Sequence, residues 1–292
     1  MQFVGRFEMV PDVALNELCK TMDISGVSRE RIEVEFEKLF LKSKRPSLGI
    51  RWLHSIGRLH EVLPEVAALV GVPQEPDWHP EGDVFEHTMQ AVDAAAETEC
   101  DAAKKLIIIY AALCHDLGKA TTTKLIDGRL RSFGHADVGT ELARTMLHRI
   151  THNVALIDSV CLLVKYHLLP GEFIASDASR AAYKRLARKL APDLNLQMLA
   201  DVARADKRGR NPYGPEPLMA PVEDIDKFLE RAQEAQVKDH SEEPALQGRD
   251  LIDQIQPGPA MGELLKKAYE TQIEEGIQDK EVLKKRVLEN LS

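Results

Sequence analysis

Apolar positions recur along this chain at helical spacing, and no stretch shows the strict alternation of a half-buried strand. Behind Ser28, which can cap the start, Ile32, Phe36, Leu39 and Phe40 fall on one face of RERIEVEFEKLFLK. Ser47 opens a second helix with Leu48, Trp52, Leu53 and Ile56 as its apolar stripe, ending near Gly57. The segment WHPEGDVFEHT reads as a loop that passes into a helix near Asp83. The next helix is predicted from Ala102 to Leu117, with Gly118 as its C-terminal cap. Others are predicted from His135 to Arg149, Asn153 to His167, Ala181 to Leu190, Leu194 to Lys207 and Val222 to Ala235. Two more start near Pro259 and Asp279, with Gly248 and Pro257-Gly258 as breaks.

Asn211-Pro212, Gly214-Pro215 and Pro217 punctuate one stretch, which closes a central unit. The expected architecture is therefore all-α. It comprises a neck-like N-terminal helical segment over 1–70, a central helical domain over 71–213 and a C-terminal helical extension over 214–292.

Composition changes this picture little. Apolar residues at 44% and charged residues at 29% are ordinary for a soluble domain, and few aromatics (5%) among many Leu, Ala, Glu and Lys lean helical. The longest uninterrupted apolar run, Leu106 to Cys114, is far shorter than the roughly 20 residues of a membrane span. The start MQFVGRFEMV lacks the features of a signal peptide, and the scattered cysteines form no CxxC pair. A cytoplasmic protein with no membrane partner is expected.

Charge matters more. A net charge of −9 argues against a general nucleic-acid binder. Yet Arg180, Lys184, Arg185, Arg188 and Lys189 cluster, and Arg204, Lys207, Arg208 and Arg210 follow. Such a run is either a solvated helix face or a local patch that attracts phosphate.

The candidate chemistry lies in His87, His115-Asp116, His135, His167 and Asp206, each on or at the end of a predicted helix. Helix ends gathered in a bundle can converge on one metal pocket. Imidazoles and carboxylates suit Mn, Fe, Co, Ni or Zn, and a metal with an open position activates water and polarises a phosphoryl oxygen. An Asp buried beside so apolar a helix is costly unless it is paired or metal-bound. Lys119, Arg208 and Arg210 are candidates to hold a substrate phosphate, although Lys119 reads equally well as a solvated helix-end lysine. His79 suits a structural hydrogen bond. Trp52, Trp78 and Phe85 suit packing better than base stacking.

The segments EHTMQ, LCHDLGK, GHADVG, KYH and ADKRGR, in this order, resemble the HD phosphohydrolase superfamily. The resemblance implies that His87, His115, Asp116 and Asp206 are metal ligands. His135 and His167 match the extra histidines of two-metal members, with Asp116 as the bridge. One or two divalent ions are implied, with Mg as a further candidate, and with Asp116 and Lys119 as catalytic residues.

A wider resemblance is carried by ISGVSRERIEVEFEKLFL, PSLGIRWLHSIGRL, VPQEPDWHPEGDVFEHT and LQGRDLI…PGPAMGELL. These are similar to the part of bacterial tRNA nucleotidyltransferases (CCA-adding enzymes, in the poly(A) polymerase family) that follows the catalytic head. In that family such a domain hydrolyses 2′,3′-cyclic phosphodiesters and nucleotides, and removes phosphate. The head's Gly-Ser motif and EDxxRRD strip do not occur in this sequence, no DxD pair precedes the HD segments, and residues before Ser28 look like the link that follows the head.

The resulting expectation is a metal-dependent phosphatase or 2′,3′-cyclic phosphodiesterase. Its substrate would be a nucleotide or an RNA end, with tRNA as a further partner. Two alternatives stand beside it. One is a non-catalytic RNA-binding body that uses Arg180 to Lys189. The other is a nucleotidyltransferase that needs a head supplied by a separate chain.

Overall fold

Buried apolar stripes define the helices of this chain, whose computed structural model describes residues 1–289. The N-terminal part holds α1 (Gln2–Phe7), α2 (Val13–Thr21), α3 (Arg29–Lys42), α4 (Ser47–Ser55), α5 (Leu59–Val62) and α6 (Pro64–Ala67). Next come α7 (Val84–Ala96), α8 (Ala102–Cys114) and α9 (Lys119–Thr122), then the strands β1 (Lys124–Ile126) and β2 (Arg129–Arg131). The chain continues through α10 (His135–Ile150), α11 (Val154–Tyr166), α12 (Leu169–Ala175), α13 (Arg180–Leu190) and α14 (Leu196–Arg208). Last are α15 (Glu223–Glu234), α16 (Pro259–Glu275) and α17 (Lys280–Glu289). The chain clusters into two compact units. One is Met1–Ser176 with Gln197–Phe228; the other is Asp177–Leu196 with the chain from Leu229 onward.

In the first unit α7 packs on α8, α8 on α11 and α11 on α10, while α3 covers α8. Every residue of α7 except Glu86 is buried, so this helix is wrapped on all sides, as a central element must be. Side-chain caps fix where these helices begin. Asp83, Asp101 and Asn153 accept from the amides of Glu86, Lys104 and Leu156 at 2.8, 3.0 and 3.1 Å, each worth about 1 kcal/mol. Ser28 precedes α3 but makes no such bond. The segment Val154–Ala175 is long and apolar enough to cross a membrane, but half of it is buried inside the protein, as a core helix would be.

Two features differ from the sequence expectation. Gly118 is right-handed (φ −65°) and stands at the N-cap of α9, while the C-cap of α8 is His115. Its missing side chain is a matter of space, because a Cβ there would lie 2.1 Å from the carbonyl oxygen of His135. The second is the antiparallel hairpin, with Lys124 opposite Arg131. Its turn, Asp127-Gly128, has φ of 50° and 75°. Two positive values in succession define the type I′ turn that Asp-Gly favours. The dipeptide is the signal for a hairpin, and the three-residue strands beside it are too short to show alternation.

In the second unit α13 packs on α16 and α16 on α17. Leu246, Leu251, Met261, Leu264, Ala268 and Val287 form its core. Two of the five basic residues of α13 meet acids of this unit. Lys184 is buried against Glu242, Arg185 pairs with Glu270 at 2.7 Å and also with Glu274, and Arg188 lies 5.6 Å over the ring of Tyr269. Lys184, Arg185 and Arg188 are thus tied into this unit.

Candidate metal centre

His87 stands one turn into α7, and His115 and Asp116 follow the last residue of α8. His135 opens α10, His167 follows α11 and Asp206 lies in the last turn of α14. Apolar helices carry these groups inward, so His87, His115, Asp116, His167 and Asp206 are all buried.

Each imidazole is oriented through Nδ1. His115, His167 and His135 direct Nδ1 at the carbonyls of Ala112, Val164 and Ser132, at 2.7, 2.7 and 2.8 Å. His87 Nδ1 lies 2.8 Å from Glu81 Oε1 and 3.1 Å from the carbonyl of Gly209. Those oxygens only accept, so the ring protons belong on Nδ1 and the Nε2 lone pairs face inward. There His87 Nε2 and His115 Nε2 stand 3.2 Å apart, and His135 Nε2 and His167 Nε2 stand 3.4 Å apart. Facing lone pairs repel unless an electrophile, a proton or a cation, lies between them.

Two carboxylates complete the group. Asp206 Oδ1 is 3.2 Å from His87 Nε2. Asp116 Oδ2 is 3.2 Å from His115 Nε2 and 3.6 Å from His87 Nε2, while its Oδ1 is 3.4 Å from His135 Nε2. The donor atoms of His87, His115 and Asp206 lie within 4.8 Å of one another, as do those of Asp116, His135 and His167. Asp116 reaches into both triads. Neutral imidazole nitrogens with carboxylate oxygens suit an intermediate divalent ion, so the cluster could hold one. Asp116 Oδ2 is also buried without an aligned hydrogen bond, although Lys119 Nζ is 2.8 Å away.

The electrostatics follow from this crowding. Burial favours a neutral carboxyl, but His115 and Lys119 hold Asp116 well below the usual range, and Arg210 and His87 do the same for Asp206. Burial also favours neutral His87, yet its contacts to Asp206 and Glu81 push it up to about 9. His167, buried beside His115 and His135, falls to about 3.

A cavity of about 540 Å³ opens on the cluster, with Asp116, His135, His167, Asp206, Lys119 and Arg210 in its wall. Lys119 Nζ donates to Gln74 Oε1 at 2.8 Å, and Arg210 Nη2 to Asp206 Oδ1 at 3.0 Å. Arg208 is not brought there. It turns instead to the carbonyls of Ala220 and Met219, at 3.4 and 3.5 Å. His79 makes a structural contact, 2.9 Å from Glu81. Phe85 is core, and Trp52 is held by Asn16 at 2.8 Å. Trp78 is 49% exposed in the cavity wall, so it is no packing residue. Glu81 and Gln74 act through His87 and Lys119 and carry no sequence signal of their own, since both lie in the loop before α7.

Residues 84–207, which carry all six clustered side chains, match the HD domain family. The chain is 31% identical over 205 residues to a multifunctional CCA protein of Pasteurella multocida, covering 68% of this chain and 47% of that protein. It is 30% identical over 282 residues to the protein of the same description from Halorhodospira halophila (91% and 62%). It is 34% identical over 260 residues to a CC-adding tRNA nucleotidyltransferase of Thermus thermophilus (87% and 55%). The chain thus spans about half the length of these relatives. It is an HD-domain protein related to the bacterial CCA-adding tRNA nucleotidyltransferases.

Proposed function

We propose that this chain hydrolyses phosphomonoesters or cyclic phosphodiesters of nucleotides or RNA ends in the cytoplasm. His87, His115, Asp116, Asp206, His135 and His167 would hold one or two divalent ions (Mn, Ni, Co, Fe, Zn or Mg). The observation that carries this reading is the set of inward-facing Nε2 atoms, crossed by Asp116, at the floor of a cavity that also presents Lys119 and Arg210. A bound ion supplies Lewis acidity toward water and toward a phosphoryl oxygen.

The chain's own residues do the rest. Lys119, held by Gln74, and Arg210, held by Asp206, offset the negative charge of the phosphoryl group as it develops. The second oxygen of Asp116 keeps His135 in register with the first triad. In the reaction the oxygen of water bonds to phosphorus and the P–O bond to the ribose breaks. One proton goes to the leaving oxygen and one to solvent. The name of one relative, a CC-adding tRNA nucleotidyltransferase, favours tRNA as the RNA partner.

The test is elemental analysis of the purified chain after loading with Mn or Ni, together with ring opening of adenosine 2′,3′-cyclic phosphate to the monophosphate and phosphate release from 3′-phosphorylated RNA. At least one ion per chain and steady turnover are expected, both lost in His115→Ala and Asp206→Ala. A wild-type chain that neither retains metal nor turns over either substrate sinks the reading. Because no DxD pair precedes the HD segments, the chain by itself is expected to incorporate no CMP or AMP. Robust incorporation by the purified chain would contradict that.

A further inference from the structure

The cavity above the metal cluster has a floor of donors and charges but an aromatic rim. Trp78 and Phe133, 49% and 73% exposed, both lie in its wall. Single exposed aromatics are ordinary, but two on the wall of one polar cavity are not what packing or solvation would leave there. Exposed aromatics next to a charged floor form the arrangement that binds a base and a phosphate together. We infer that Trp78 and Phe133, with Arg131 and Gln74, form a nucleobase platform for a nucleotide whose phosphate reaches Lys119. This rests on the phosphohydrolase reading for the phosphate, and on the rim itself for the base.

The rim is fastened rather than loose. Trp78 N donates to Glu75 O at 3.1 Å within its loop. The carboxylate of Glu75 accepts from Leu130 N at 3.0 Å, so the β1–β2 hairpin is tied to that loop. Arg129 adds a 3.7 Å contact to Asp77. The guanidinium of Arg131 stands 5.3 Å over the Trp78 ring, fixing the indole and placing a cation beside it. Phe133 sits between Ser132 and Gly134, whose φ is +74°. The carbonyl of Ser132 accepts from His135 Nδ1 at 2.8 Å, and its hydroxyl meets Thr123 Oγ1 at 2.9 Å. The loop that presents Phe133 is thus built onto one of the proposed ligands. A platform set in place before binding loses little freedom when a base arrives.

Gln74 supplies an independent sign of a ligand. It is only 8% exposed, and its Oε1 is committed to Lys119, which can only donate. That contact fixes the other end of the amide as Nε2, which is buried in the same wall without a partner. A buried donor left unpaired is costly, and a phosphate or base oxygen in the cavity would satisfy it. A simple phosphate ester would use Lys119 and Gln74 but not the aromatic rim. A nucleotide uses all of them. Stacking accepts any base, so the platform should tolerate all four. Free nucleotides and RNA 3′ ends share this chemistry.

The chain has two tryptophans, so Trp52→Phe leaves Trp78 as its one indole fluorophore. Its emission is titrated with AMP, ribose 5-phosphate and inorganic phosphate, in chelator so that no turnover competes. AMP should quench Trp78 and bind about tenfold or more tighter than ribose 5-phosphate. By calorimetry, Phe133→Ala and Trp78→Leu in the otherwise native chain should erase that preference and leave ribose 5-phosphate binding unchanged. Phe133 is exposed, so its variant does not depend on refolding a core. In the metal-loaded chain these substitutions should raise KM for nucleotides with kcat little altered.

Equal affinity for AMP and ribose 5-phosphate would overturn the platform, whatever the turnover. Base-dependent binding without any turnover would support the platform and overturn the hydrolase reading. A trinucleotide with a 3′-phosphate that binds as AMP does supports the platform with RNA ends as the source. Binding of AMP but not of the trinucleotide supports it with free nucleotides as the source.

Discussion

Glu81 does for His87 what backbone carbonyls do for the other three histidines of the cluster. Burial would raise its carboxyl, but hydrogen bonds from His79 and His87 hold it at about 2, so it is a fixed anion against Nδ1. A carboxylate in that place sharpens the lone pair on Nε2, and losing such a partner costs metal affinity about 10–100-fold. Glu81→Gln keeps the shape and removes the charge, so metal affinity in competition with a chelator should fall by that order. Unchanged affinity would deny Glu81 this role. Gly118 offers a second residue-scale prediction. A methyl there meets the His135 carbonyl at 2.1 Å, so Gly118→Ala must displace the start of α10 and its histidine. Overpacking of this kind costs about 1–3 kcal/mol, readable in urea unfolding, and bound metal should fall with it. The candidate donors His87, His115, Asp116, His135, His167 and Asp206 could be picked out by type and order, and the structure gathers them into one cluster. Glu81, Gln74 and the true role of Gly118 were not, because each depends on a loop or a backbone approach that no periodicity encodes.

The longer helices were legible because each buries an apolar stripe long enough to show its period. The exceptions are α1, α2, α5, α6, α9 and α12, none longer than nine residues, and the hairpin, where Asp127-Gly128 was the one usable sign. What periodicity cannot reveal is a polar tie between helices. Ser47 reads as a helix-opening serine, yet its amide and hydroxyl donate to Asp93 of α7 at 2.8 and 2.7 Å, with Arg45 Nε at 3.3 Å. Burial pushes Asp93 up to about 6, against the pull of those donors and of the Arg45 charge. A carboxyl whose folded pKa lies above its unfolded 3.8 binds more protons in the folded protein between those two values. Its stabilising contribution is therefore full below that window and lost as pH rises through it, by about 3 kcal/mol in all. Asp93→Asn does not titrate. Urea unfolding between about pH 4 and about pH 7 should show the wild type losing this stability relative to the variant. Parallel profiles for the two proteins would remove Asp93 from the account.

At the scale of the molecule, the candidate donors come from α7, α10 and α14 and from just past the ends of α8 and α11, and all lie in the first unit. The order of the motifs along the chain was readable, but the company each helix keeps was not. α13 clusters with α16 because the acids that meet Lys184 and Arg185 come from residues 242, 270 and 274, far along the sequence. That division gives a prediction about metal and stability. An ion held by helices so distant in sequence cannot find the same site in the unfolded chain, so its binding energy becomes folding energy for the unit that holds it. At a hundredfold excess over Kd the gain is about 2.7 kcal/mol. Hydrogen exchange read by mass spectrometry, with and without Mn, should therefore show added protection in α7, α8, α10, α11 and α14. Exchange in α16 and α17 should stay as it was, and a chelator should reverse the gain. Protection that rises equally in α16, or nowhere, would mean that these side chains do not hold the ion together.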